Sequence, residues 1–463
     1  MRSTQNRNTR RPSSAPPPRR LLPLFTEKTF SRISIGVIAL ITAYVLFEFF
    51  HDLMGPDILV SQAEHIAVDR PPHLELKDRS GIRAYEISVI QKGKETFRAK
   101  KLYRNPEERV VVQLPSAAIS HGKATVLVRA SDGSAGNFGA GNTRSVELPI
   151  DIDQEAPGIQ LLSRSALRIR QGGTGMLQYR VSEPCRKTGV IAGDRWHPAT
   201  QLHDGSWICF FAFPYAAEVK AFTVAVSATD MAGNTGERRV AALRYARTFK
   251  ADTIPLSEKF LQQAEAKLLE LAPDCKGSLL ERYLFVNRTV RAANVRQLEA
   301  IGRRSDSVKY WEGPFLRMPR SAARAGFGER RTYLFSGKAV DEQRHLGQDL
   351  ASTRQAAVPA ANAGRVAFVG ELGIYGRTAV IDHGLGIMTL YAHLSSCTVR
   401  EGDMVKRGEA IGKTGTSGLV FGDHLHFGVL VHGVEVAPQE WLDPAWIRDN
   451  VETRIVVPEQ REM

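Results

Sequence analysis

From about residue 60 onward the chain is written largely in a period of two. Runs such as "ERVVVQLP", "KATVLVRASD", "LRIRQGGTGMLQYRVSE" and "AFTVAVSATDMAGN" alternate apolar and polar residues and are broken by Gly, Pro, Asn and Asp. Successive side chains of an extended chain point to opposite faces, so such alternation buries one face and wets the other. These segments are predicted to be half-buried strands of antiparallel sheets joined by short turns.

Two of the runs end alike. Val128, Ala130 and Asp132 lead to Gly141 and Asn142, while Val226, Ala228 and Asp230 lead to Gly233 and Asn234. The interval from Asp132 to Asp230 is 98 residues, about the length of one β-sandwich. The "ATDMAGN" ending resembles that of bacterial immunoglobulin-like extracellular modules. It implies two such β-sandwich modules, at 60–153 and 154–247, serving as spacers or as platforms for a cell-envelope protein partner.

The length of 463 residues predicts two to four folded units at roughly 100 to 200 residues each. A composition of 43% hydrophobic and 24% charged residues excludes wholesale disorder and a polytopic membrane protein. The formal net charge is +13, of which +7 sits in residues 1–32, a Pro/Ser-rich arm containing "RRPSSAPPPRR". That arm has too few apolar residues to order itself. The mild remaining excess is spread over a large surface, and no nucleic-acid partner is expected.

The 18 residues Ile33–Phe50 follow, "ISIGVIALITAYVLFEFF", with Glu48 as their only acid. At about 1.5 Å per helical residue they reach roughly 27 Å, close to the hydrocarbon thickness of a bilayer. The next residues, "EFFHDLMGP", offer no small-x-small cleavage site. The sequence therefore predicts an uncleaved transmembrane anchor at 33–50 after a cytoplasmic arm at 1–32. The positive arm stays inside, giving a single-pass protein of the inner (cytoplasmic) membrane with its bulk in the periplasm. The four cysteines form no C-x-x-C pair, which argues against thiolate zinc knuckles and thioredoxin chemistry, although Cys185 and Cys209 could bridge in an exported compartment.

At Pro255 the period changes. "PLSEKFLQQAEAKLLEL" offers Ser257 as an N-cap, an early Glu258, and Phe260, Leu261, Ala264, Leu268 and Leu271 at helical spacing. A helical connector is predicted over 248–310. A final β domain, dense in glycine, is predicted over 311–449.

Three histidine features fall in that last domain: His345 with Asp349 in "HLGQD", His393 in "YAHLS", and His424 with His426 in "HLHF". On a strand, His424 and His426 project to one face while Leu425 and Phe427 turn to the core. The same parity in "TLYAHL" puts Thr389, Tyr391 and His393 on one side, lining an exposed groove. Two imidazoles and a carboxylate are a normal ligand set for catalytic zinc, with a fourth position open for water. No H-E-x-x-H occurs. Helical spacing could bring His345 and Asp349 together, but Gly347 disfavours a helix there. His383 in "IDHG" reads as structural, His432 as a surface residue, and Asp423 as a turn residue.

The ordered set "DEQRHLGQDLA", "IDHG", "LYAHLS", the glycine-rich run "VREGDMVKRGEAIGKTGTSG", "GDHLHF" and "PQEWL" resembles the lysostaphin/LytM-type zinc metalloendopeptidases, over Arg331 to Asp443, about a quarter of the chain. The resemblance implies hydrolysis of peptide bonds in peptidoglycan stem peptides and cross-links, with Zn2+ as cofactor. It implies His345, Asp349 and His426 as metal ligands, and His393 and His424 as catalytic histidines. The fold class implied is mainly β: an antiparallel β metallopeptidase domain preceded by two β-sandwich modules, a helical connector and one N-terminal transmembrane helix. Two departures border the expected groove, Arg377 after Tyr375 and Gly376 in place of the usual Asn, and "GLVFGD" ahead of His424. The alternative is a noncatalytic LytM-like scaffold that activates another wall hydrolase, but members of that kind lack ligands and all five positions are filled here.

Overall fold

The computed structural model describes residues 27–51, 54–60, 73–114, 120–134, 140–162 and 166–455. Most of the basic arm lies outside the described residues. Strands dominate, and the chain divides into two compact units, Met1–Ile152 and Asp153–Met463.

The first unit holds the helix α1, Glu27–His51, which contains the apolar run; several of its side chains lie outside the described residues. Among the described residues no helix is long and apolar enough to cross a membrane. After it comes one five-stranded antiparallel sheet, in the order Asp57–Val60, His73–Gln91, Gly122–Asp132, Thr143–Ile152, with Lys94–Gln113 also paired to His73–Gln91. Period-two patterning acts as expected in Gly122–Asp132, where Ala124, Val126, Val128 and Ala130 are buried. The expected pair of facing sheets is replaced by a single sheet, because its two long strands, of 19 and 20 residues, run on through a register break between Lys77 and Ile82. The shared loop ending is a turn lock: Asp132 Oδ1 accepts from the backbone N–H of Ser134 (3.1 Å) and of Asn142 (2.7 Å).

The second unit starts with a sandwich. One antiparallel sheet runs Arg195–Pro198, Cys185–Ala192, Val224–Asp230, Thr235–Arg239, and the other Thr200–Gln201, Trp207–Ala212, Thr174–Val181, Ile159–Leu161. Leu177, Tyr179, Val190, Phe211, Val224 and Val226 fill the space between them. Asp230 repeats the lock, its Oδ1 accepting from the N–H of Gly233 (2.6 Å) and of Asn234 (2.9 Å). Cys185 and Cys209 are both free, so the possible bridge is not formed; Cys209 is buried and its thiol instead approaches backbone carbonyls.

Three helices follow: α2 (Glu258–Leu271), α3 (Leu279–Phe285) and α4 (Arg291–Gly302). Ser257 caps α2 by accepting from the N–H of Phe260 at 3.1 Å, and Ser278 with Glu281 forms a capping box on α3. Their buried face, including Leu261, Ala264, Leu268 and Leu298, packs on Val380, Leu390 and Leu430 of the final domain. That domain is an eight-stranded sheet in the order Ala322–Ala325, Gln348–Ala351, Leu425–Val431, Ile387–Ala392, Arg377–Gly384, Gly364–Glu371, Met404–Val405, with Val434–Val436 paired to Leu425–Val431.

The sandwich is not a detached spacer. Phe210 of its second sheet packs against Trp441 and Trp311, at ring separations of 5.8 and 6.3 Å, in one core with Leu350, Tyr391 and Phe427. Trp441 Nε1 donates to Thr174 Oγ1 at 3.1 Å, and the N–H of Thr174 donates to Glu440 at 2.8 Å. His432, expected at the surface, sits in this junction with its ring 5.7 Å from that of buried His197. Its hairpin turns the ring inward, against Gly386.

Candidate metal centre

The two halves of the "HLGQD" motif sit on different strands. His345 ends the strand Lys338–His345, and Asp349 lies in Gln348–Ala351, so the glycine between them turns the chain where a helix would have continued. A Cβ on Gly347 would meet Nε2 of His426 at 2.4 Å and the carbonyl of Phe427 at 2.9 Å, so the site needs a residue without a side chain here. His426 lies on Leu425–Val431, directly opposite both Asp349 and Ala392 on the two neighbouring strands.

This pairing focuses three atoms on one point. His345 Nε2, Asp349 Oδ1 and His426 Nδ1 lie 2.9 to 3.0 Å from one another. His345 donates from Nδ1 to the carbonyl of Gly326 at 3.0 Å, which fixes the tautomer and leaves the Nε2 lone pair facing the centre. The other carboxylate oxygen of Asp349 faces Arg331 Nη2 at 3.6 Å, and Arg331 also pairs with Glu329 at 3.0 Å. Three electron-rich atoms converging this closely repel unless a cation lies between them, and two imidazoles with one carboxylate suit a divalent metal. The residues present therefore fit a metal ion.

Two more imidazoles border the point. Parity holds for His424: it bridges to Gly415 just ahead of the strand and shares a face with His426, its Nε2 3.5 Å from Asp349 Oδ1. Parity fails for His393. Thr389 and Tyr391 face the opposite layer, where Tyr391 donates to nothing in the groove and instead accepts from the N–H of Ala361 at 2.7 Å. The strand stops at Ala392, and His393 adopts a positive φ of 62° that swings its ring back toward the site. There it forms a buried part of the groove wall, with its ring 5.1 Å from His424 and 5.8 Å from His426. Both histidines donate from Nδ1 to backbone carbonyls, His393 to Ser417 (3.0 Å) and His424 to Gly422 (2.8 Å), which leaves both Nε2 atoms available.

Burial governs the electrostatics. It would raise the Asp349 carboxyl, but the three imidazoles gathered around it, His345, His424 and His426, outweigh burial and hold the group below the ordinary carboxylate range. Burial pushes His426 down to about 4 and His393 well below its usual value, the latter reinforced by the neighbouring imidazoles. Burial also opposes the charged form of His424, yet its contact with Asp349 raises it.

The groove encloses about 190 Å³. Tyr375 forms part of its wall, its ring 5.4 Å from that of His426. Leu419, Val420 and Phe421 of the "GLVFGD" loop form another part, and that loop is tied to α2 by Lys267, which donates to the Gly418 carbonyl at 2.9 Å, and by Phe260 against Phe421 at 4.7 Å. Arg377 turns outward to Glu371 at 3.5 Å. His383 is fully buried and bonded to Ala363 and Thr389, and Asp423 accepts from Gln355 and Thr414 in the turn. Sequence reasoning missed Arg331, which supports Asp349 from a neighbouring hairpin, and Arg291, which reaches the groove from α4. Neither carries a spacing relation to the histidines, so no local signal marked them.

Residues 343–438 match the family model described as Peptidase family M23. Over 94 residues the chain is 40% identical to the DD-carboxypeptidase/endopeptidase Mpg of Neisseria meningitidis, a match covering 20% of this chain and 22% of that one. Over 107 residues it is 36% identical to the peptidoglycan DD-endopeptidase ShyB of Vibrio cholerae, covering 23% and 24%. The catalytic domain of the antimicrobial peptidase lysostaphin from Staphylococcus simulans aligns at 26% identity and a TM-score of 0.23, over 26% of this chain and 92% of that one. The chain thus spans under a quarter of the length of these two curated relatives. Residues 343–438 of this chain are a domain of peptidase family M23.

Proposed function

We propose that the protein is a membrane-anchored zinc metalloendopeptidase that hydrolyses peptide bonds in peptidoglycan, acting on stem peptides and cross-links. The observation that carries this reading is the convergence of His345 Nε2, Asp349 Oδ1 and His426 Nδ1 to within 3.0 Å of one another beside two further imidazoles. Mpg and ShyB, similar over this domain, bear names that describe DD-peptidases, and ShyB's includes peptidoglycan. That supports the same bond class as the substrate.

In this reading His345, Asp349 and His426 hold the zinc. When bound, zinc polarises a carbonyl and brings the pKa of water down to about 7. His393 and His424 present Nε2 to the groove. One takes the proton as water attacks the scissile carbonyl carbon, and a proton passes to the amine as the C–N bond breaks. His424, drawn toward the charged form by Asp349, also suits the developing oxyanion. Arg331 keeps Asp349 aimed, and Gly347 lets His426 approach.

The helix α1 serves as the anchor, with the basic arm cytoplasmic and the rest of the chain periplasmic. Its 25 residues reach about 37 Å at 1.5 Å each, and the apolar run Ile33–Phe50 lies within it.

The test is digestion of purified sacculi by the zinc-loaded, detergent-solubilised full chain and by its His345→Ala, His393→Ala and His424→Ala variants. Chromatography and mass analysis should show cross-linked muropeptides converted to monomers by the wild type alone. Equal product from all four proteins would remove this site from the reaction.

A further inference from the structure

Arg291 stands out among the cations around the metal centre. It lies on α4, outside the family-matched segment, and still forms part of the groove wall that holds His345, Asp349 and the other histidines. The neighbouring arginines are matched to acids: Arg288 to Asp341 at 2.9 Å, and Arg331 to Glu329 at 3.0 Å and Asp349 at 3.6 Å. Arg291 has only neutral partners. Its Nε donates to the carbonyl of Asn287 at 3.2 Å and its Nη2 to the side-chain oxygen of the same residue at 2.7 Å. Among the described residues no carboxylate lies within ion-pair distance of it.

The guanidinium is also held in place. Asn287 is fully buried, and its Nδ2 donates to Asp341 Oδ2 at 2.8 Å, so both ends of its amide are fixed. Asn287 sits in the π-helical turn Val286–Val290 that joins α3 to α4. Such turns are rare and occur frequently at functional sites, because the extra residue re-aims the side chains around it. Here the turn brings Asn287 against the Nε/Nη2 edge of Arg291, and among the described residues Nη1, on the other edge, has no hydrogen-bond partner. A guanidinium with one edge immobilised and the other open is prepared for a planar, two-oxygen acceptor.

We infer that Arg291 anchors a free carboxylate of the peptide substrate beside the metal centre, making this residue of the helical connector a determinant of specificity. The inference rests on the proposed peptidase function and narrows its substrate class to peptides with a carboxylate near the scissile bond. Two sources supply that group, the C-terminal carboxylate and an acidic side chain.

The experiment measures equilibrium binding by calorimetry to the metal-stripped full chain, so that no cleavage occurs. The probes are a short acidic peptide ending in D-alanine, its C-terminal amide, and its side-chain amide. Wild type should bind the free acid roughly 10- to 100-fold more tightly than one of the amides, as expected for a charge-assisted two-point contact; the amide that loses affinity identifies the source. Arg291→Gln should bind all three alike, and Arg291→Lys should keep part of the preference, having charge without the fork. A wild type that fails to distinguish the peptides, or fails to bind them, overturns the inference, as does an undiminished preference in Arg291→Gln. Since no turnover is involved, such a failure is separate from a failure to digest sacculi.

Discussion

Nε2 of His345 and Nδ1 of His426 lie 3.0 Å apart although 81 positions separate them in the chain. Neither strand could place its imidazole alone. The turn at Gly347 sets His345 against Gln348–Ala351, and antiparallel pairing then lays Asp349 opposite His426. The centre is a product of sheet register.

The five polar residues should separate into two groups. His345→Ala, Asp349→Ala and His426→Ala should each abolish stoichiometric zinc after dialysis, read by elemental analysis. His393→Ala and His424→Ala should retain about one zinc per chain while kcat falls roughly 10²- to 10⁴-fold. Loss of metal from the second group would place those imidazoles among the ligands.

Gly347→Ala should weaken zinc binding by about 10- to 100-fold, a size typical of changes that disorient a ligand. The new methyl would press on the ring of His426 and on the backbone of Phe427. Competition with a chromogenic chelator measures the affinity, and circular dichroism checks that the fold persists. Wild-type affinity in this variant would show that the strands part without cost.

Stability should depend on pH through Glu435. Burial raises its carboxyl from 4.5 to about 7, so the native state keeps a proton that the unfolded chain releases. The contribution is complete below about pH 4.5 and is lost as pH rises through 7, a change of about 3 kcal/mol. Glu299, Arg195 and Tyr375 are the ionisable groups acting on it. Glu435→Gln should remove this dependence, giving denaturation midpoints at pH 5 and pH 8 that differ less than those of the wild type. An identical pH dependence in both proteins would count against a protonated Glu435.

Phe210→Ala should cost roughly 3 to 5 kcal/mol, the range for deleting a buried aromatic ring. Although Phe210 belongs to the sandwich, the cavity would open against Trp441 and Trp311. Chemical denaturation followed by tryptophan fluorescence should therefore show the peptidase domain melting earlier as well. An unfolding transition confined to the sandwich would separate the two cores.

Much of this was legible in advance, for identifiable reasons. The two-residue period survives burial, so Ala124, Val126, Val128 and Ala130 announced their strand, and His424 and His426 announced a shared face. Parity alone does not place His393, since it assumes an unbroken strand, and the left-handed backbone at His393 inverts it. The single sheet of the first unit was hidden because alternation reports which face is buried, not which strands run on as partners. Arg331 and Arg291 were invisible for a related reason: they reach the metal centre through tertiary packing, and no spacing rule spans that distance.

The shared aromatic junction has a wider consequence. A final domain that borrows Phe210 and Thr174 from an upstream neighbour cannot be shuffled between proteins as an independent cassette, because excision would leave it with both bare indole surface and an orphaned glutamate. Recombination that preserves this fold must carry the sandwich with it, so the two have to be inherited as a single piece.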